Sequence, residues 1–161
     1  MSSITPQAIS QGARLSRFAS TRLLHEWAQM QPWDAGPWYE LRLGPTPQVH
    51  GGGYVAPNFA RMLSVFNRYA DLVGIARGEI MVVEAKMQFD PGAISQVQHY
   101  VDLVLSTERL KMYPTRVVSP VILVAIDDPI VHQRATAAGI RVELFTPPWV
   151  NEWLQRRYRQ A

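Results

Sequence analysis

The sequence predicts an α/β fold, a central mixed sheet of about five strands flanked by helices. Three observations lead there. Val117–Ile126 and the first half of Ile80–Met87 are short, apolar on both faces and rich in β-branched residues, the pattern of buried strands. Arg77-Gly78 is a two-residue turn signal that joins neighbouring strands antiparallel. Helix-start signals at Asp90-Pro91-Gly92, Asp127-Asp128-Pro129 and Pro147-Pro148 then alternate helices with the later strands. At 161 residues the chain is expected to form one domain with a substantial core, residues 1–161. Within it, 1–31 is an amino-terminal helical region, 38–145 the α/β core and 147–161 a terminal helix.

Composition narrows the possibilities. With 47% apolar and 18% charged residues the chain reads as an ordinary globular protein, and no apolar run is long enough to span a bilayer, so no membrane partner is expected. Without cysteine, a disulfide scaffold and thiolate-bound zinc are excluded. A net charge of +3 permits a polyanionic partner without demanding one.

In the first helix Thr5 can cap and Pro6 suits the first turn. Leu15, Phe18, Leu23, Leu24 and Trp27 supply its apolar surface, with a possible break at Ser20-Thr21. No acid precedes Glu26, while Arg14, Arg17 and Arg22 are present; the composition also suits a transit peptide, but a basic helix of the folded domain is the reading taken. Pro32, Gly36 and Pro37 mark a break, after which Trp38–Leu43 alternates as the first strand. Gly44–Pro57, with Gly51-Gly52-Gly53 and His50, reads as a flap or connection; no Gly-Lys-Ser/Thr follows, so it is not a phosphate-binding loop. Phe59–Phe66 is either a short helix or the beginning of the second strand.

The next segment carries the chemistry. If Arg77-Gly78 is the hairpin loop, Ala76 pairs with Glu79 and Ile75 with Ile80, and the same register sets Asp71 opposite Glu84. Two opposed carboxylates repel, and a divalent cation between them turns repulsion into binding. Lys86 shares the face of Glu84. On the helix after Asp90, Ile94, Val97, Val101 and Val104 or Leu105 form the inward stripe, and Gln96 and Tyr100 lie four apart on one side. Tyr100 reads equally as a functional or a core-edge residue.

Val117–Ile126 follows as the fourth strand. Asp127-Asp128-Pro129 opens a helix to about Ala138; a metal site at the strand's carboxyl end is the alternative for these aspartates. Ile140–Phe145 is the fifth strand, with Val142 and Leu144 on one side. In the last helix Trp149, Val150, Trp153 and Leu154 point inward, and Arg156, Arg157 and Arg159 suit either the helix dipole or a DNA backbone.

Asp71, the Glu84-Ala85-Lys86 triplet after a hairpin and the following Gln96–Tyr100 helix resemble the PD-(D/E)XK nuclease superfamily, in particular its RecB-like branch with a Q-x-x-x-Y motif. Ala70 stands where that family has proline. The resemblance spans roughly residues 38–126 and implies a restriction-endonuclease-like core. It further implies a metal-dependent DNA nuclease of low sequence specificity. Asp71, Glu84 and the Ala85 carbonyl would hold Mg²⁺, with Mn²⁺ as substitute; Lys86, Gln96 and Tyr100 would complete the catalytic set. His25 or Glu26, on the helix ahead of the sheet, is a further candidate, as is His50. DNA is the expected partner, with other protein chains supplying targeting or assembly, and a homo-oligomer is open. The alternative function is a nuclease-fold docking or structural part of a larger nucleic-acid machine, such as a phage head-completion or neck component or a mobile-element protein. The corresponding locations are cytoplasmic or, if phage-derived, virion-associated.

Overall fold

The computed structural model describes residues 6–45 and 68–159, with side chains from Ser16 onward. The Gly51–Gly53 triplet, His50 and the ambiguous 59–66 stretch lie outside the described residues, as does Thr5. In chain order the elements are α1 (Pro6–Ala28), β1 (Trp33–Leu43), β2 (Arg68–Ala76), β3 (Glu79–Gln88), α2 (Gly92–Val104), a 3-10 turn (Glu108–Leu110), β4 (Val118–Ile126), α3 (Pro129–Ala137), β5 (Arg141–Leu144) and α4 (Trp149–Arg159). The five strands form one sheet in the order β1-β2-β3-β4-β5. β1, β2 and β3 pair antiparallel, whereas β3, β4 and β5 run parallel. The mixed five-stranded sheet flanked by helices is therefore the observed architecture.

The hairpin follows from its two turn residues. Arg77 and Gly78 both have positive φ, 53° and 76°, the conformation whose twist matches two antiparallel strands. Ile75 pairs with Ile80 and Ala76 with Glu79, as the turn requires.

Each sheet face carries its own core. On one, Val73, Ile80, Val82, Ile122 and Val124 pack against Val97, Tyr100 and Val104 of α2 and Val131 and Ala135 of α3. On the other, Leu72, Met81, Val83, Val121 and Leu123 pack against Leu23, Leu24 and Trp27 of α1 and Val150 of α4. β4 is buried from Val121 to Ala125 because strands lie on both its sides and helices over both its faces.

Several expectations are corrected. α1 is continuous through Ser20-Thr21: both hydroxyls donate to the Arg17 carbonyl, at 3.0 and 2.9 Å, so they bond back to the helix without interrupting it. Phe18 is 65% exposed and Ala19 takes the buried place on that turn. β1 begins at Trp33 rather than Trp38, running irregularly through Gly36 and Pro37. It is an edge strand, where a residue without an N–H is tolerated. On α2, Leu105 is exposed, and Ala93 and Tyr100 join Val97 and Val104 in the buried stripe. Leu144 faces out, while Val142 packs on the core.

Candidate active site

The sheet forks where the carboxylates stand. β2 pairs with β1 as far as Arg68, opposite Leu43, yet pairs with β3 only as far as Leu72, opposite Val83. β3 meanwhile stays paired with β4 to Gln88. Beyond Leu72 and Val83 the two halves of the sheet diverge, and Asp71 and Glu84 are the first residues past the split. The Ala85 N–H loses a strand partner there and donates instead to Asp71 Oδ2 at 2.8 Å. A cleft of about 1180 Å³ opens from this fork, walled by the middle of α1, by Tyr39 and Glu40 of β1, and by the end of β3.

Glu84 is 2% exposed. Its Oε1 lies 2.8 Å from Lys86 Nζ, and its Oε2 is buried without a hydrogen-bond partner among the described residues. Burial, with the Asp71 charge added, raises its pKa to about 7. Asp71 is raised too, by burial, although the Ala85 N–H opposes the shift. For Lys86, burial disfavours the ammonium, but the Glu84 and Asp71 charges outweigh it and raise the pKa. Lys86 is therefore a cation at neutral pH.

α2 brings its two polar residues to the same place. Lys86 Nζ lies 3.5 Å from Gln96 Oε1, and Gln96 Nε2 donates to the Tyr100 hydroxyl at 2.6 Å. The pKa of Tyr100 is pushed up to about 12, by burial first and then by the charge of Glu84. The phenol keeps its proton. The Tyr100 ring is buried in the core, and its hydroxyl ends the hydrogen-bonded chain Glu84–Lys86–Gln96–Tyr100.

The remaining candidates separate. His25 lines the cleft and stacks on Tyr39, ring centroids 4.1 Å apart. Glu26 turns to the opposite side, accepting from Trp149 Nε1 at 2.8 Å and pairing with Arg22. Arg17 and Arg157 reach the cleft; Arg22 lies over the Trp149 ring instead. Asp128 caps α3, accepting from Ile130 N and Val131 N at 2.9 and 3.2 Å, while Asp127 pairs with His132. These two aspartates do not line the cleft.

Glu40 was not among the candidates from the sequence, where it stands with Arg42 against Tyr39, Leu41 and Leu43 on an alternating strand. It lines the cleft, and its charge adds to the upward shift of Asp71. Its φ of 48° is unusual for a residue with a side chain and breaks the alternation. No local signal marks that conformation.

The site's chemistry fits a hard cation. A buried carboxylate oxygen without a partner is costly, and Glu84 Oε2 is such an atom, beside a second carboxylate raised by the same burial. Among the described residues no three His, Asp or Glu side chains gather into a full protein cage. Mg²⁺ needs none, since it binds through one or two carboxylates and keeps its waters.

The chain is similar to a solved repair endonuclease from Pyrococcus abyssi, with a TM-score of 0.44 and 19% identity. The match covers 91% of this chain and 50% of that one, so the chain spans about half the length of that protein. No family model and no curated protein matches the sequence.

Proposed function

We propose that the protein is a metal-dependent nuclease that hydrolyses phosphodiester bonds in DNA with little sequence preference, a member of the PD-(D/E)XK superfamily. The observation that carries the reading is the convergence of Asp71, Glu84, Lys86, Gln96 and Tyr100 at one fork in the sheet, from three elements, around a carboxylate oxygen unpartnered among the described residues.

Asp71, Glu84 and the Ala85 carbonyl would hold Mg²⁺ or Mn²⁺. The ion, when bound, polarises the scissile phosphate and lowers the pKa of an attacking water. With the cation present, Glu84 would serve as its ligand and Lys86 would stand beside it as a second positive charge. Because the two neighbouring carboxylates keep Lys86 protonated, it serves as a cation rather than a base: it orients the water and stabilises the charge of the pentavalent phosphorus. Gln96 holds the Lys86 side chain, and Tyr100 holds Gln96. Contacts of this kind go to phosphate and carry no base identity, hence the weak sequence preference.

The test is cleavage of plasmid and single-stranded DNA with Mg²⁺ or Mn²⁺, with Lys86→Ala and an EDTA control. Cutting that needs metal and is lost in the variant supports the reading. Neither cutting nor metal binding sinks it.

A further inference from the structure

We propose that the open edge of β5 pairs antiparallel with β5 of a second copy of this chain, so that one sheet runs through both. The proposal is independent of the nuclease reading. β5 ends the sheet, with β4 on one side and no strand on the other among the described residues. The Phe145 N–H donates to the Val124 carbonyl at 2.9 Å, inward to β4. Backbone groups alternate in direction along a strand, so Val142 and Leu144 turn their N–H and C=O outward. An edge of this kind is a template for another strand. The opposite edge is guarded: β1 shifts register between Trp33 and Trp38, and Pro37 has no N–H to give. β5 pairs evenly from Arg141 to Leu144, without proline or bulge, and both of these end residues are exposed. Phe18 and Tyr158 are more exposed than Leu144, but they stand on α1 and α4, whose backbones are bonded internally.

The residues of β5 select the partner and the register. Strands bonded antiparallel must set outward-facing residues opposite one another. With the twofold axis at Val142, that residue exchanges both backbone bonds with its counterpart, and Arg141 meets Glu143 in both directions. Moving the axis one residue either way sets Glu143 against Glu143 or Arg141 against Arg141. Directly opposed unlike charges stabilise a strand pair and like charges destabilise it, so the Val142 register is favoured. Arg141 and Glu143 already pair within the chain, Nε to Oε1 at 3.1 Å. Across the axis two such pairs close a square in which each cation lies between two carboxylates. Leu144, 59% exposed, comes opposite Ile140 of the second copy and gains an apolar neighbour. Arg-Val-Glu-Leu is thus complementary to its own reverse, which points to a second copy rather than a foreign strand. The axis stands perpendicular to the sheet, and β4 separates β5 from β3, so the two forks open toward opposite ends.

Sedimentation velocity of the whole chain tests the proposal. A strand of 4 residues makes a short ladder, so a weak dimer is expected, dissociating at about 10–100 µM. Arg141→Glu and Glu143→Arg, each checked for folding by circular dichroism, should each weaken association about ten-fold or more, since each sets like charges opposite one another twice. An equimolar mixture of the two variants should dimerise as the unaltered chain does, because the acids of one then meet the cations of the other. Both variants lose the pair within the chain, so recovery in the mixture reads only the contact between chains. Leu144→Pro, which removes an outward N–H and no bond to β4, should leave a folded monomer. An unaltered chain that stays monomeric to about 500 µM overturns the proposal. So does a dimer indifferent to either charge reversal, or a mixture that stays monomeric.

Discussion

The Lys86 ammonium stands 2.8 Å from one oxygen of Glu84, while the other oxygen, Oε2, is buried without a hydrogen-bond partner among the described residues. One half of the carboxylate is thus neutralised from inside the protein, while burial penalises the charge on the whole group. The resting site is electrostatically unsettled, and its variants should reveal that.

Glu84→Gln and Asp71→Asn are expected to abolish cleavage and yet fold. Each removes a charge that burial disfavours, and asparagine keeps an oxygen for the Ala85 N–H. Lys86→Ala should lower the cleavage rate by about 10²–10³ or more, the scale of losing one transition-state charge stabiliser. Oligonucleotide cleavage and thermal melts on the same samples check both halves. Normal cutting by any of the three would show the site to be misplaced.

Stability without metal should fall as pH rises. Folded Glu84 holds its proton to about pH 7, against an ordinary value of 4.5, so between these values the folded chain binds more protons than the unfolded one. The contribution is fully present below about pH 4.5 and is lost as pH climbs through 7. Asp71, also raised, acts in the same direction. Lys86 does not titrate in this window, because its pKa is raised above 10.5. Melting temperatures in EDTA from about pH 5 to 8 should therefore decline, and less steeply for Glu84→Gln. Parallel curves for the two proteins would refute the shift.

Metal should reverse that trend. Ligand carboxylates must be deprotonated before they bind a cation, so Mn²⁺ is expected to bind more tightly at about pH 8 than at about pH 6. At a hundred-fold excess over its Kd, it should stabilise the fold by about 3 kcal/mol. Calorimetric titration at both pH values reads the affinity, and Asp71→Asn should remove it.

Gly74→Ala probes the sheet beside the fork. A Cβ at Gly74 would come within 2.5 Å of the Trp33 ring, which is half-buried and held by its Nε1 donating to the Ala28 carbonyl at 2.8 Å. The ring cannot yield freely, so the substitution should cost about 1–3 kcal/mol. Adding Trp33→Val should recover part of that loss, and chemical denaturation of the single and double variants measures it. Additive losses would show that the two residues do not meet.

Glu26→Ala should loosen the tie between α1 and α4, where Glu26 accepts from Trp149 and Arg22 stacks over the same ring at 4.5 Å. The pair is partly exposed, so the expected cost is about 1 kcal/mol. Cleavage should be nearly unaffected, since Glu26 does not line the cleft. Denaturant unfolding and the oligonucleotide assay separate the two effects.

What the sequence determined by itself is what short-range geometry dictates. A two-residue loop sets strand register, so Arg77-Gly78 aligns Ile75 with Ile80 and keeps that register to Leu72 and Val83, one residue short of Asp71 and Glu84. A spacing of four on a helix sets Gln96 beside Tyr100, and alternation on a strand sets Lys86 beside Glu84. Apolar runs and turn signals likewise supplied the order of helices and strands. The tertiary structure decided which distant segments meet those residues. The fork arises because β2 leaves β3 while keeping β1, a competition between ladders that no single strand records. The choice of His25 over Glu26 for the cleft, the exposure of Phe18 with Ala19 inside, and the place of Glu40 on the cleft wall all rest on packing between elements far apart in the chain. Such contacts depend on the shape of the opposing surface, and that surface exists only once the sheet has formed.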